Sequence, residues 1–194
     1  MRQINWDDLP CLEPANLTGG KKTALTIGVF DGLHRGHKAL IEKISEKAPG
    51  FLPTVVTFRG NPKKRLGESA INDIISFDEK TALLDSMGVS LCVIIDFSEH
   101  FSTITGRVFL ETLHKHLCPA YIAVGANFHC GYRRDTDTET FKTLAEGLGV
   151  EVEIVPPVFE GGALVSSSRI RSALTAGKID EAILLLGRPL KPVP

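Results

Sequence analysis

The sequence predicts an α/β fold, a doubly wound parallel sheet of about five strands with flanking helices. Short apolar runs of strand length alternate with longer segments of helical apolar spacing along nearly the whole chain. Glycine and proline punctuate the junctions, as at Gly88, Pro119 and Gly149. The 194 residues are 43% hydrophobic, enough for one sizeable core.

The elements follow in order. "ALTIGVF" (Ala24 to Phe30) reads as a buried strand, and "HKALIEKISEKA" carries apolar residues at Ala39, Leu40, Ile44 and Ala48, which is helical spacing. "TVVTF" (Thr54 to Phe58) is a second strand. "FDEKTALLDSMG" is a helix with Gly88 as its stop. "SLCVIIDF" (Ser90 to Phe97) is a third strand, and "RVFLETLHKHL" a helix closed by Pro119. "AYIAVGANF" is a fourth strand running into a loop, and "DTETFKTLAEGLG" a helix ending at Gly149. "VEVEIVPP" is a fifth strand, followed by two terminal helices, "SSSRIRSALTAG" and "IDEAILLLG". Such alternation implies right-handed β-α-β crossovers, with ligands at the carboxyl ends of the strands. The tail "GRPLKPVP" reads as a linker or frayed end over 191–194.

A formal net charge of -1 implies no broad basic face, so nucleic acid is not the first expectation as a partner. Two local basic runs, Lys63-Lys64-Arg65 and Arg133-Arg134, read as solvated surface. Cys11, Cys92, Cys118 and Cys130 form no C-x-x-C pair and match neither a zinc site nor a dense disulfide framework, so reduced thiols are expected. The acidic start "MRQINWDDLPCLEP" lacks the apolar region of a signal peptide, and no apolar run approaches the ~18 residues of a membrane span. A soluble, cytoplasmic protein is expected.

"TIGVFDGLHRGHKALI" (Thr26 to Ile41) concentrates the chemistry. A strand ends at Phe30, a turn carries His34 and His37, and a helix begins at once. Gly32 and Gly36 admit close backbone approach, and the helix start offers free N–H groups and a positive dipole end to an anion. Two histidines with Asp31 are also compatible with a metal, although no further His or Cys is tied to the turn by a zinc spacing. A solvated loop is the plainest alternative. Gly28, Gly32 and Gly36 stand four apart and fail the G-x-G-x-x-G pattern; "GGKKT" fails as a P-loop because Ala15 stands where the first glycine belongs and the strand follows it. "VSSSRIR" (Val165 to Arg171) opens another helix, with N-cap hydroxyls from Ser166, Ser167 and Ser168 and guanidinium groups from Arg169 and Arg171. Two anion-ready helix starts in one domain favour a polyphosphate ligand.

"GVFDGLHRGHKALI" and "VSSSRIR" resemble the H-x-G-H and I-S-S-T-x-x-R signatures of the nucleotidyltransferase superfamily. The chain is similar, more narrowly, to the adenylyltransferase half of bacterial FAD synthetases. "VTFRGNP" (Val56 to Pro62) resembles that family's T-F-x-P-H-P loop, "VGANFHCGYRRDT" its V-G-x-[DN]-F-x-F-G segment, and "TAGKIDEAILLLGRPL" the stretch ending in L-L-G-R-P-Y. Gly60 and Asn61 stand where the family loop has Pro and His; Cys130 replaces an aromatic residue, and Thr136 a usual Gly. No P-T-A-N motif of a riboflavin kinase occurs.

The resemblance implies a Rossmann-like nucleotidyltransferase fold, an FMN adenylyltransferase domain over 1–190 with no riboflavin kinase domain, and the reaction of FMN with ATP to give FAD and pyrophosphate. It assigns His34 and His37 to the α- and β-phosphates, Arg171 with Ser167, Ser168 and the helix start to the leaving pyrophosphate, and Phe30 and Asp31 to the nucleotide site. Gly28, Gly36 and Arg169 join that binding surface, and Asn61, Pro62, Asn127 and Phe128 are the expected flavin contacts. Mg²⁺ is expected to arrive on the ATP phosphates, with no protein metal site. Small-molecule substrates are the expected partners, with neither nucleic acid nor membrane. His100, His114, His116 and His129 read as surface or packing. A transferase for another phosphorylated acceptor, such as phosphopantetheine, and a non-catalytic flavin-binding remnant are the competing readings.

Overall fold

The computed structural model describes residues 1–62 and 72–190. The Lys63-Lys64-Arg65 run and the tail 191–194 lie outside the described residues. In chain order, β1 (Arg2–Asn5) leads through a 3₁₀ turn (Trp6–Cys11) and α1 (Pro14–Thr18) into β2 (Thr23–Ile27). Then come α2 (Arg35–Glu46), β3 (Leu52–Phe58), α3 (Phe77–Ser86), β4 (Leu91–Ile95), α4 (Glu99–Ser102), α5 (Gly106–Leu117) and β5 (Pro119–Gly125). A ribbon of β6 (His129–Cys130) and β7 (Thr136–Asp137) precedes α6 (Thr138–Gly147) and β8 (Glu151–Val155). The hairpin of β9 (Phe159–Glu160) and β10 (Ala163–Leu164) leads to α7 (Ser167–Thr175) and α8 (Ile179–Leu186).

The main sheet has six strands in the order β1-β4-β3-β2-β5-β8, all parallel. All five strands expected from the sequence are in it. The sixth, β1, lies on the edge against β4, with Arg2 opposite Leu91 and Asn5 opposite Ile94. "RQIN" carries no apolar alternation and is mostly exposed, so its position depends on backbone pairing that a hydrophobic pattern cannot report.

Successive strand residues face opposite layers. Leu25, Ile27, Val56, Val93 and Ile122 pack beneath α5 and α6 with Phe109, Leu113 and Phe141. Ala24, Val55, Ile94 and Ala123 pack against α2 and α3 through Leu40, Ile41, Ile44 and Leu84. A smaller cluster of Ile170, Ala173, Ala182 and Leu185 joins α7 to α8. Ser76, Thr105, Asp137 and Ser166 cap α3, α5, α6 and α7 by accepting a backbone N–H.

This topology positions the site. From β2 the chain builds through β3 to β4 on one side, then crosses to β5 and β8 on the other. The switch point therefore lies between β2 and β5, and the crevice beyond their carboxyl ends is where such sheets bind ligands. The loop after β2 carries Phe30, Asp31 and His34, with His37 in the first turn of α2; the loop after β5 carries Asn127 and Phe128.

Candidate functional site

The turn after β2 is tightly constrained. Phe30, Gly32 and Leu33 have φ of 52°, 82° and 41°, a left-handed region unfavourable to the two side-chain-bearing residues. Burial of both side chains in the core beside α2 offsets that cost. A Cβ on Gly28 would lie 3.2 Å from the Phe30 ring, so this glycine lets the ring fold back beneath the turn.

His34 is the N-cap of α2, and its Nδ1 accepts the His37 backbone N–H at 3.3 Å. Nδ1 is thereby an acceptor, which assigns the proton to Nε2 and leaves Nε2–H as a donor. A Cβ at Gly36 would stand 3.2 Å from the His34 ring, so glycine leaves room for this cap. The two imidazoles stack with centroids 3.6 Å apart, and the Phe30 ring meets His37 edge-on at 5.2 Å. Burial pushes the His34 pKa down to about 4. Burial, then the neighbouring His34 and Lys80, hold His37 well below the ordinary histidine range. Both rings are neutral at pH 7. His37 Nδ1 is buried with no hydrogen-bond partner among the described residues.

The start of α7 is bound to the same turn. Ser166 caps it by accepting the Arg169 N–H at 3.3 Å, and the Ser167 hydroxyl donates to the Asp31 carbonyl at 2.9 Å. The Asp31 carboxylate, almost fully buried, pairs with Arg171 and accepts the Ile74 N–H at 2.8 Å. Arg171 also donates to the Asn72 carbonyl at 2.9 Å. Phe30, Asp31, His34, Gly36, His37, Ser167 and Arg171 thus form one constellation, with Asp31 joining the two helix starts. Ser168 is the next, exposed residue of α7.

Arg169 points elsewhere. Its guanidinium donates to the Glu160 carbonyl at 2.8 Å and the Ala163 carbonyl at 3.1 Å, and pairs with Glu181 at 3.1 Å. It joins the β9–β10 hairpin to α8. The remaining expected contacts follow the strands on either side of β2. Asn61 is buried and Pro62 half-buried after β3; Asn127 is exposed and Phe128 half-buried after β5. Phe128 meets the Phe141 ring edge-on at 5.0 Å. The Thr138 hydroxyl lies 3.1 Å and 2.9 Å from the Ala126 and Phe128 carbonyls, fixing that loop to α6. At the departing position Cys130, burial pushes the thiol up to about 12.

Sequence reasoning missed three basic residues around the turn. Arg188 donates to the Gly32 carbonyl at 2.9 Å and lies 3.8 Å from Glu79. Arg35 pairs with Glu160. Lys80, on α3, is 5% exposed and donates to the carbonyls of Val29 and Phe58 at 3.0 Å and 2.8 Å. Arg35 and Arg188 lie inside the "GVFDGLHRGHKALI" and "TAGKIDEAILLLGRPL" stretches, which assigned them no role; Lys80 stands in no such stretch, and the signal available for it was its place among the apolar residues of α3. Of the four histidines read as surface or packing, His116 is buried and His129 reaches the Asn127 carbonyl at 3.0 Å. Among the described residues no three His, Cys, Asp or Glu side chains cluster as a metal site, and no helix is long and apolar enough to cross a membrane.

A family profile described as FAD synthetase matches residues 18–169. The bifunctional riboflavin kinase/FMN adenylyltransferase of Escherichia coli K12 is 32% identical over 169 residues, which is 85% of this chain and 54% of that protein. A protein named FAD synthetase from Listeria monocytogenes is 28% identical over 87% of this chain and 70% of its own length. The chain spans about half the length of most of the curated relatives it matches. Among solved structures, a chain described as a macrolide-efflux protein from Streptococcus pneumoniae superposes with a TM-score of 0.79 at 28% identity, covering 98% of this chain and 72% of its own. A pantoate-beta-alanine ligase from Francisella tularensis gives 0.59 at 15% identity over 93% and 78%, a likeness of fold alone. The profile covers most of the sheet and both histidines of the turn and runs into the start of α7, and the chain belongs to the FAD synthetase family.

Proposed function

We propose that this chain is an FMN adenylyltransferase over residues 1–190, making FAD and pyrophosphate from FMN and MgATP. The observation that carries the reading is the pair of neutral, stacked imidazoles at one helix start, joined through Asp31 to a second helix start bearing Arg171. An FMN phosphate oxygen attacks the ATP α-phosphorus in line; the new P–O bond forms as the bond to the β-phosphate oxygen breaks and pyrophosphate leaves. A phosphate monoester with a second pKa near 6 is already close to a dianion at pH 7, so the nucleophile needs no base. The protein's work is alignment and charge stabilisation.

His34 and His37 donate N–H bonds to the α- and β-phosphate oxygens, beside the N–H groups at the start of α2. Arg171, Ser167 and Ser168 hold the leaving pyrophosphate. Asp31 keeps Arg171 in reach until the anion takes over part of its guanidinium, and Gly28, Phe30 and Gly36 shape the nucleotide side. Asn61, Pro62, Asn127 and Phe128 contact the flavin. Arg169 supports this surface through the hairpin. Mg²⁺ belongs to the substrate, held by phosphate oxygens and water because it dehydrates reluctantly.

The test is product analysis after incubation with MgATP and FMN, riboflavin or phosphopantetheine in turn. FMN should yield FAD and pyrophosphate, while the other two give no nucleotide product. Dephospho-coenzyme A formed from phosphopantetheine would overturn the assignment of the acceptor, and FMN formed from riboflavin the expectation that this chain has no kinase activity.

A further inference from the structure

We propose that Lys80 is a positioning residue of the anion site, a fixed buried positive charge held by the ends of β2 and β3 beside the two-histidine turn, which strengthens binding of a pyrophosphate-bearing ligand there. The inference rests on the turn being the phosphate site. A lysine is rarely buried unless its charge is compensated, and Lys80 is 5% exposed. Among the described residues its hydrogen-bond acceptors are two main-chain carbonyls, Val29 at 3.0 Å and Phe58 at 2.8 Å, which are dipoles and carry no formal charge. Val29 immediately precedes the left-handed Phe30, and its carbonyl also accepts the Thr57 hydroxyl at 3.2 Å. The ammonium therefore grips the point where the chain leaves the sheet for the turn.

The charged and titratable groups that feel this ammonium come from every side. Asp31 on the turn and Asp73 before α3 favour its charge, the Cys92 thiol of β4 lies near it, and His37 of α2 is discouraged from protonation by it. Burial lowers the Lys80 pKa. A structural pin alone would need a donor for these two carbonyls but not a full charge, which is costly to take out of water. A positive charge confined beside two uncharged donors suits a site that is completed by an incoming polyanion. Lys80 also favours an uncharged His37, so donor strength and site charge are supplied by different residues.

The test compares wild type with Lys80→Met, which keeps the length of the stem, and Lys80→Arg, which keeps the charge. The readouts are calorimetric binding of inorganic pyrophosphate and the NMR titration of the His37 ring; neither depends on which acceptor the enzyme uses. Lys80→Met should bind pyrophosphate about 10-fold more weakly, and its His37 should take up a proton at higher pH than in wild type. Lys80→Arg should restore both. Wild-type affinity with an unmoved His37 titration in Lys80→Met overturns the proposal. So does a folded Lys80→Arg that binds no better than Lys80→Met, or failure of both variants to fold, which makes the lysine a structural pin. If pyrophosphate binding depends on Lys80 but FMN is not adenylylated by wild type, the proposed reaction fails and the role of Lys80 stands.

Discussion

At the scale of single residues, the cost of this site is visible in His34. Its pKa falls from the ordinary histidine value to about 4 because the ring is buried, and its role as an N–H acceptor at the cap of α2 also requires the neutral form. The folded state therefore binds fewer protons than the unfolded state across the window from about pH 6.5 down to about 4. The unfolded state being the better base, stability is retained above the window and lost as pH falls through it. One residue with this shift contributes roughly 2 kcal/mol of acid destabilisation between pH 7 and 4.5. His34→Asn retains an N-cap acceptor and removes the titration. Urea unfolding of the variant should lose about 2 kcal/mol less than wild type over that interval; an identical acid loss in both proteins contradicts the assignment. The spacing of His34 and His37 was legible in the sequence. Their neutrality was not, because it depends first on the burial of both rings in the folded turn, to which Lys80, a residue of another helix, adds for His37 alone.

At the scale of elements, α7 shows what a motif conceals. Arg169 and Arg171 are two residues apart, hence about 200° apart around a helix, and must point to different sides. Arg171 turns to Asp31 and Asn72, whereas Arg169 turns to the β9–β10 hairpin and Glu181. In the linear sequence the two are equivalent cations after a serine cap, and only the direction of the helix relative to the turn separates them. Strands β2 to β5, β8 and the six longer helices were legible because each has its own apolar period or a terminating glycine or proline, whereas the short α1 and α4 and the two small β ribbons have neither length nor period enough to be read. β1 was not, since an exposed edge strand carries no such period. The division predicts distinct phenotypes. Arg169→Ala should cost about 1–3 kcal/mol of stability through the hairpin and α8 yet keep kcat per folded molecule within roughly threefold of wild type. Arg171→Ala should also lose stability, because Asp31 is left buried without its partner, but its kcat should drop by roughly 10²-fold or more. Denaturation curves alongside initial rates of FAD formation check both; a loss of kcat in Arg169→Ala equal to that in Arg171→Ala would assign the two arginines one role.

At the scale of the whole molecule, the sheet brings together loops from either side of the switch point, and no single segment holds the complete site. The histidines follow β2, the proposed flavin contacts follow β3 and β5, and the residues proposed to hold pyrophosphate begin α7. Each set falls at a strand end or helix start, where backbone groups are free to meet a ligand. That arrangement separates two ionisations that a pH profile can distinguish. The acidic limb of kcat/KM reports groups of free enzyme and free substrate. The free enzyme holds His34 at about 4 and His37 well below its ordinary value, whereas the second ionisation of the FMN phosphate lies near pH 6. The limb near pH 6 should therefore belong to FMN. A phosphonate analogue of FMN that holds its second proton more tightly should shift the limb to higher pH. His37→Ala should lower the rate by roughly 10²–10³-fold, and His37→Gln, which retains a displaced N–H donor, by less, with neither moving the limb. Rates measured from pH 5 to 8 with both acceptors decide the matter. A limb that moves with His37 while the acceptor stays the same would make the imidazole a titrating base and remove the basis for two neutral donors.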